Sequence, residues 1–185
     1  GGSSDAAVTM QVLNEMWNIN ISQGRLAELA GQLGSDVPFF LGNSPTALAT
    51  GRGEKVETLP SLAKTWVVLL RPPMDMVNKT RGMYGLLNPS HFTDGRHAER
   101  MAGLIEQGKR ITTSLCYNVF DDLSSAFFGG IEDYRSRFLA AGAGEVRLAG
   151  AGPTLFTLVD GRAAGEEICR RLKKDGMEAY LAETI

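Results

Sequence analysis

The stretch Glu145-Val146-Arg147-Leu148-Ala149-Gly150-Ala151-Gly152-Pro153-Thr154-Leu155-Phe156-Thr157-Leu158-Val159 reads as strand, glycine loop, strand. Glu145 to Leu148 and Thr154 to Val159 are short β-prone runs, and the five residues between them are small or structure-breaking. Ala163 to Lys174 then shows helical spacing, and Glu178 to Leu181 reads as a last strand. A second half that alternates strand and helix, with a βαβ-like end, predicts an α+β sandwich.

Upstream of it, Thr65 to Leu70 is a buried-strand pattern stopped by Pro72-Pro73. Val77 to Leu87, Ala98 to Gln107, Asn118 to Phe128 and Tyr134 to Ala141 are predicted helices, and Asn88 to Gly95 is polar turn material. In the first third, Val8, Val12 and Met16 fall four apart, with Ser3 or Ser4 as the expected N-cap. Ser22 opens a second helix that carries Leu26, Leu29, Ala30 and Leu33 on one face and closes at Gly34. Gly34 to Gly42 is expected to be a loop. Ala47 to Thr50 and Lys55 to Leu59 are predicted strands joined by Gly51-Arg52-Gly53-Glu54. The character changes around Pro60 to Lys64, so the predicted domains are 1–62 and 63–185.

Composition narrows the function classes. The chain has 185 residues, 43 % hydrophobic, with 19 basic against 21 acidic side chains and a net charge of -2. That is enough apolar material for a core and gives no basic footprint for nucleic acid or an anionic membrane. The longest apolar run, Trp66 to Leu70, is far short of the roughly 20 residues of a membrane span. Two cysteines and two histidines without ligand spacing argue against a disulfide scaffold and a zinc site. Glycine, at 22 residues, is the outlier. The chain opens on Gly1 without a signal-peptide pattern. Its first residues read as the tail of a glycine loop running into a helix, or as a linker remnant, and the first reading implies an upstream segment.

Three constellations carry chemistry. In Gly1-Gly2-Ser3-Ser4-Asp5-Ala6-Ala7, glycines allow close approach, a helix start offers unpaired N–H groups, and Ser3 and Ser4 add hydroxyls that suit a phosphate or Mg²⁺. An ordinary capped helix explains the same residues. In Gly34-Ser35-Asp36-Val37-Pro38-Phe39-Phe40, a single acid stands against an apolar wall. Buried there, Asp36 would serve as a base for an alcohol; otherwise it caps a turn. In Leu148 to Thr154, Gly150 and Gly152 shape a loop whose amides face a ligand, or a plain hairpin.

Order and spacing together resemble the GHMP superfamily of small-molecule kinases, which includes galactokinase, homoserine kinase and mevalonate kinase. Gly1 to Ala7 looks like the end of its ATP-phosphate loop, Gly34 to Phe40 like its catalytic-acid motif, and Gly150-Ala151-Gly152-Pro153-Thr154 like its third motif. Gly51-Arg52-Gly53-Glu54 and Asn118-Val119-Phe120 match as well. The wording of the acid motif is that of the branch acting on a cytidine diphosphate-linked methylerythritol, in non-mevalonate isoprenoid biosynthesis. Two departures stand out. Ala149 and Ala151 replace the usual serines of the third motif. The first motif, with its catalytic lysine, is not found; Lys55 and Lys79 lie in the wrong context for it.

The resemblance implies two lobes: a remnant of a ribosomal S5-like N-terminal lobe, and a ferredoxin-like C-terminal lobe. It implies ATP with Mg²⁺, phosphates on Gly1, Gly2, Ser3 and Ser4, and Ser4 as a weak metal ligand. Asp36 would orient or deprotonate the acceptor hydroxyl, and Gly150 and Gly152 would touch substrate. Thr80 and Tyr84 lie where such kinases hold cytidine, although Tyr84 also reads as a helix-core residue. The implied setting is cytoplasmic, or the plastid stroma in a plant or alga, without nucleic-acid or membrane partners. A homoserine- or mevalonate-type kinase is the alternative, as is a truncated, inactive fragment that exposes apolar edges.

Overall fold

The structure is a computed structural model that describes residues 1–42, 44–74 and 76–184. Two compact units make it up: Gly1–Leu62 with Glu99–Lys109, and Ala63–Ala98 with Arg110–Ile185.

The first unit opens with helix α1, Gly2–Met16. Its N-cap is Gly1, not Ser3 or Ser4; both serines lie inside the first turn, and Ser4 Oγ donates back to the Gly1 carbonyl at 2.7 Å. A hydroxyl that back-bonds this way no longer competes for the cap. The helix stops where Asn18 and Asn20 adopt left-handed backbone, and Asn14 binds both polar groups of Ile21 at 2.9 and 3.1 Å. The stripe Val8, Val12, Met16 is exposed; the buried contact is Ala7, with Ala6 and Met10 beside it. Helix α2, Gln23–Leu33, begins at Ser22, whose hydroxyl accepts the Arg25 N–H, and ends at Gly34 as expected.

Where a loop was expected, Val37–Phe40 forms a one-turn helix, α3, with Pro38 in its first turn. Proline suits a helix start because the N–H it lacks would be unpaired there. Ala7, Leu26, Ala30, Val37 and Leu41 form the small core that holds the three helices. Gln23 Nε2 donates to the Leu41 carbonyl at 2.7 Å and ties α2 to the end of α3. Strands β1, Ala47–Thr50, and β2, Lys55–Thr58, pair as an antiparallel hairpin. Most of helix α5, Arg96–Glu106, belongs to the remaining segment of this unit, Glu99–Lys109.

The second unit contains β3, Trp66–Arg71; α4, Lys79–Gly85; α6, Val119–Phe127; α7, Ile131–Ala140; β4, Arg147–Leu148; β5, Leu155–Val159; α8, Arg162–Lys174; and β6, Glu178–Glu183. Short 3-10 turns at Pro89–His91 and Thr113–Leu115 join some of them. The sheet order is β4-β5-β3-β6 with every neighbour antiparallel. Strands β5 and β6 therefore run parallel on either side of β3, with α8 as the crossover. This is the split-βαβ, ferredoxin-like arrangement. Only Arg147 and Leu148 of the expected strand Glu145 to Leu148 join the sheet, and α7 begins at Ile131, three residues before the expected Tyr134.

Central position explains the β3 pattern. Val68 and Leu70 are fully buried and Trp66, Val67 and Leu69 half-buried, because both edges of β3 are paired. Leu155, Thr157 and Val159 of β5 face the core in strict alternation. Phe128, Ile131, Phe138, Leu148, Leu155 and Leu172 pack with them. Each such side chain contributes roughly 1.5–3 kcal/mol of burial free energy.

Candidate active site

In the first unit, the opening turn of α1 presents Gly2, Ser3 and Ser4. The first intrahelical bond runs from Asp5 N–H to the Gly1 carbonyl at 3.0 Å, so the N–H groups ahead of it point outward without a helical partner. Nothing lies within 4 Å of where a side chain would stand on Gly1 or Gly2. Ser3 and Ser4 are half-buried. Among the described residues no group of three or more His, Cys, Asp or Glu side chains could hold a metal ion.

Asp36 precedes α3 and is exposed, not buried against Val37, Phe39 and Phe40 as expected. Val37 and Pro38 turn inward and are buried, while Asp36 and Phe40 stay outside. Asp36 occupies the N-cap position, yet its carboxylate makes no capping hydrogen bond. The hairpin turn stands next to it. Gly53, with φ of 110°, is close enough that an added Cβ would lie 3.6 Å from Asp36 Oδ1 and 3.5 Å from Ser35. Glu54 folds back under that turn and accepts the Arg52 N–H at 2.7 Å. Its own backbone N–H and that of Arg52 hold its carboxyl below the usual range. Ala7, one turn after Ser3–Ser4, and Val37, next to Asp36, share one core cluster. The helix start and the acid are thereby built on the same support.

In the second unit, Ala149 N–H donates to the Thr154 carbonyl at 2.8 Å and Gly152 N–H to the Ala149 carbonyl at 2.9 Å, closing the loop. Gly150 and Gly152 have φ of 55° and 70°, and the Gly152–Pro153 bond is cis. Gly150 is exposed, whereas Gly152 is buried against Leu148 and Phe128, so Gly152 shapes the loop from within. Asn118, at the N-cap of α6, donates to the carbonyls of Leu148 and Gly150, both at 2.9 Å, and accepts Phe120 N–H at 3.1 Å. Lys79 Nζ donates to the Gly152 carbonyl.

Thr80 and Tyr84, one turn apart on α4, are both exposed. Tyr84 is 60 % exposed and is no core residue; the buried member of α4 is Met83. Phe120 meets the Tyr84 ring in an edge-to-face pair, 5.1 Å between centroids. That leaves a braced aromatic free to stack.

The sequence reading missed Asp121, whose side chain is only 9 % exposed. Oδ1 accepts Leu148 N–H at 2.7 Å and lies 3.2 Å from Arg135, and Arg147 stands 3.8 Å from Oδ2. Burial pushes its carboxyl above the usual value, opposed by the Leu148 hydrogen bond and by Arg135. Asn118-Val119-Phe120-Asp121 has the spacing of a capped helix start with an acid three residues on. That signal was present, but the acid reaches across to β4 instead of back to the cap.

Fold and site together define a class. The family model of the GHMP kinases N terminal domain matches residues 1–43, that of the GHMP kinases C terminal matches residues 102–178, and the chain belongs to this kinase family. Within it, the whole chain is 43 % identical over 186 residues to the 4-diphosphocytidyl-2-C-methyl-D-erythritol kinase of Dehalococcoides mccartyi strain BAV1. The enzyme of the same name from Shouchella clausii is 34 % identical, again across the whole chain. The chain spans 65 % of the first relative's length and 61 % of the second's. A crystal structure of 4-(cytidine 5'-diphospho)-2C-methyl-D-erythritol kinase superposes with TM-score 0.74 at 26 % identity, covering 99 % of this chain and 64 % of that one. A homoserine kinase from Cytophaga hutchinsonii, at TM-score 0.57 and 15 % identity, shares the fold.

Proposed function

We propose that this chain belongs to an ATP-dependent kinase that phosphorylates a hydroxyl of 4-diphosphocytidyl-2-C-methyl-D-erythritol, a step toward isoprenoid precursors. The observation that carries the reading is Asp36: exposed, uncommitted to capping, and built on the same core as the α1 start. The names of the relatives supply the substrate.

The acceptor oxygen attacks the γ-phosphorus of ATP, the bond from that phosphorus to the β–γ bridging oxygen breaks, and ADP leaves. Asp36 holds the hydroxyl in line and takes its proton. The N–H groups and hydroxyls of Gly1 to Ser4 receive the phosphates. Catalysis is positioning and charge stabilisation. Ser4 Oγ donates to Gly1 and keeps its lone pairs. It would therefore hold one position of a Mg²⁺, and such an ion would supply positive charge against the phosphates. Thr80, Tyr84 and the Gly150–Gly152 loop receive the cytidine diphosphate end. The cytoplasm fits bacterial relatives, and among the described residues no helix is long and apolar enough to cross a membrane.

The test joins this chain to the part of the Dehalococcoides mccartyi enzyme that it does not span and offers ATP with three acceptors: 4-diphosphocytidyl-2-C-methyl-D-erythritol, homoserine and mevalonate. Phosphorylation of the first alone supports the reading. Preference for either of the others, or no transfer, overturns it. The 185-residue chain alone should turn over more than about tenfold more slowly, since it spans 65 % of a relative's length and positioning dominates the rate.

A further inference from the structure

Three carbonyls of the glycine loop, those of Ala149, Gly150 and Gly152, are occupied. Gly152 N–H takes that of Ala149, Asn118 that of Gly150, and Lys79 that of Gly152. The N–H groups of Gly150 and Ala151 have no acceptor among the described residues. A loop held by its carbonyls presents its amides outward, toward an anion. Asn118 holds the entry to the loop and Lys79 its exit.

Lys79 is the unusual member. Its side chain is half-buried, and no carboxylate pairs with it among the described residues. An ammonium has three donors and one goes to Gly152. The other two have no acceptor among the described residues, so the ammonium is available to an anion. Lys79 is also the first residue of α4, directly before Thr80 and five before Tyr84.

We propose that Lys79 is a substrate-positioning residue: it fixes the exit of the loop and offers its charge to the diphosphate of the substrate. This rests on the kinase reading for the substrate, though the loop-holding part stands without it.

The experiment uses the 185-residue chain, with CDP and uncharged cytidine as probes, and follows amide exchange at Gly152. Wild-type protein should bind CDP at least about tenfold more tightly than cytidine, the size expected of one charge-assisted contact. Lys79→Met should lose that preference and speed Gly152 exchange by about tenfold as the loop loosens. Lys79→Arg should keep both properties. Lys79→Gln should keep the protection, through its amide donor, and lose the preference. A Lys79→Met protein with wild-type CDP preference overturns the charge role, and unchanged Gly152 exchange overturns the loop-holding role. Wild-type protein that binds neither probe overturns the charge role together with the substrate reading. The exchange result then still decides the loop.

Discussion

Asp121 and Asn118, one turn apart at the start of α6, grip the two polar groups of a single backbone residue. The Asp121 carboxylate accepts the Leu148 N–H at 2.7 Å, and the Asn118 amide donates to the Leu148 carbonyl at 2.9 Å. Leu148 is the last residue of β4, so this double hold sets where the glycine loop leaves the sheet. Arg135 steadies the acid at 3.2 Å and donates to the Val146 carbonyl at 2.7 Å. Asp121 Oδ2 and Arg147 Nε have no hydrogen-bond partner, and the 3.8 Å approach of Arg147 Nη1 offers charge alone. The loop's scaffold thus adds a part-buried polar network to the apolar packing of Leu148 and Phe128, and such networks are sensitive to the loss of one member.

Asp121→Asn should keep an acceptor for Leu148 but leave Arg135 facing an amide. Stability should fall by about 1–3 kcal/mol at acid pH, and by less at neutral pH, where burial disfavours the wild-type carboxylate. The pH dependence has a definite sign. The folded-state pKa of Asp121 is raised, chiefly by burial. Its linked stabilisation is therefore full below the unfolded value of about 3.9 and is lost as pH rises through the folded value. Urea titrations of both proteins from pH 3 upward check this. The wild-type advantage attributable to protonated Asp121 should shrink as pH rises past about 4, and an advantage that grows there would refute the assignment.

Gly152→Val should be among the most damaging single changes in the loop. A Cβ at Gly152 would lie 2.9 Å from both Leu148 and Phe128, and its φ of 70° is unfavourable for a β-branched residue. Overpacking and backbone strain each cost about 1–3 kcal/mol. Ala151→Ser, at a half-buried position with ordinary φ, should stay within about 0.5 kcal/mol. Thermal melts of the two variants should differ widely, and equal melting temperatures would deny the loop any special geometry.

Gly82 lets α4 lie close to α6, since an added Cβ would come within 2.5 Å of the Phe127 ring. Gly82→Ala gains helix propensity of about 1 kcal/mol but forces the two helices apart. A net loss of stability is expected, and a more stable variant in chemical denaturation would show that the ring yields without cost.

Much of the fold could be read from residue pattern. The strand β3 and the β5–α8–β6 end follow from apolar runs bounded by glycine and proline. The glycine loop was equally visible, because Gly150 and Gly152 need left-handed backbone that few other residues supply. What pattern could not supply was direction. Nothing local says that Asp36 faces solvent, that Tyr84 is exposed while Met83 is buried, or that Asp121 reaches β4 twenty-seven residues later. The Val8, Val12, Met16 stripe has the period of a buried face and is nonetheless exposed, because periodicity reports a stripe and not what covers it. Lys79 was legible only as a lysine out of motif; its contact with Gly152 spans 73 residues.

Asp36→Asn in the joined full-length enzyme measures the central claim most directly. Asparagine is nearly isosteric, and Asp36 makes no capping bond, so melting temperature and ATP affinity should match wild type. The amide cannot take the hydroxyl proton, so kcat should fall by at least about a hundredfold, the low end of general-base contributions. Turnover close to wild type, with or without a lower melting temperature, would contradict the assignment of Asp36 as the base and remove the main reason for placing phosphoryl transfer at this loop.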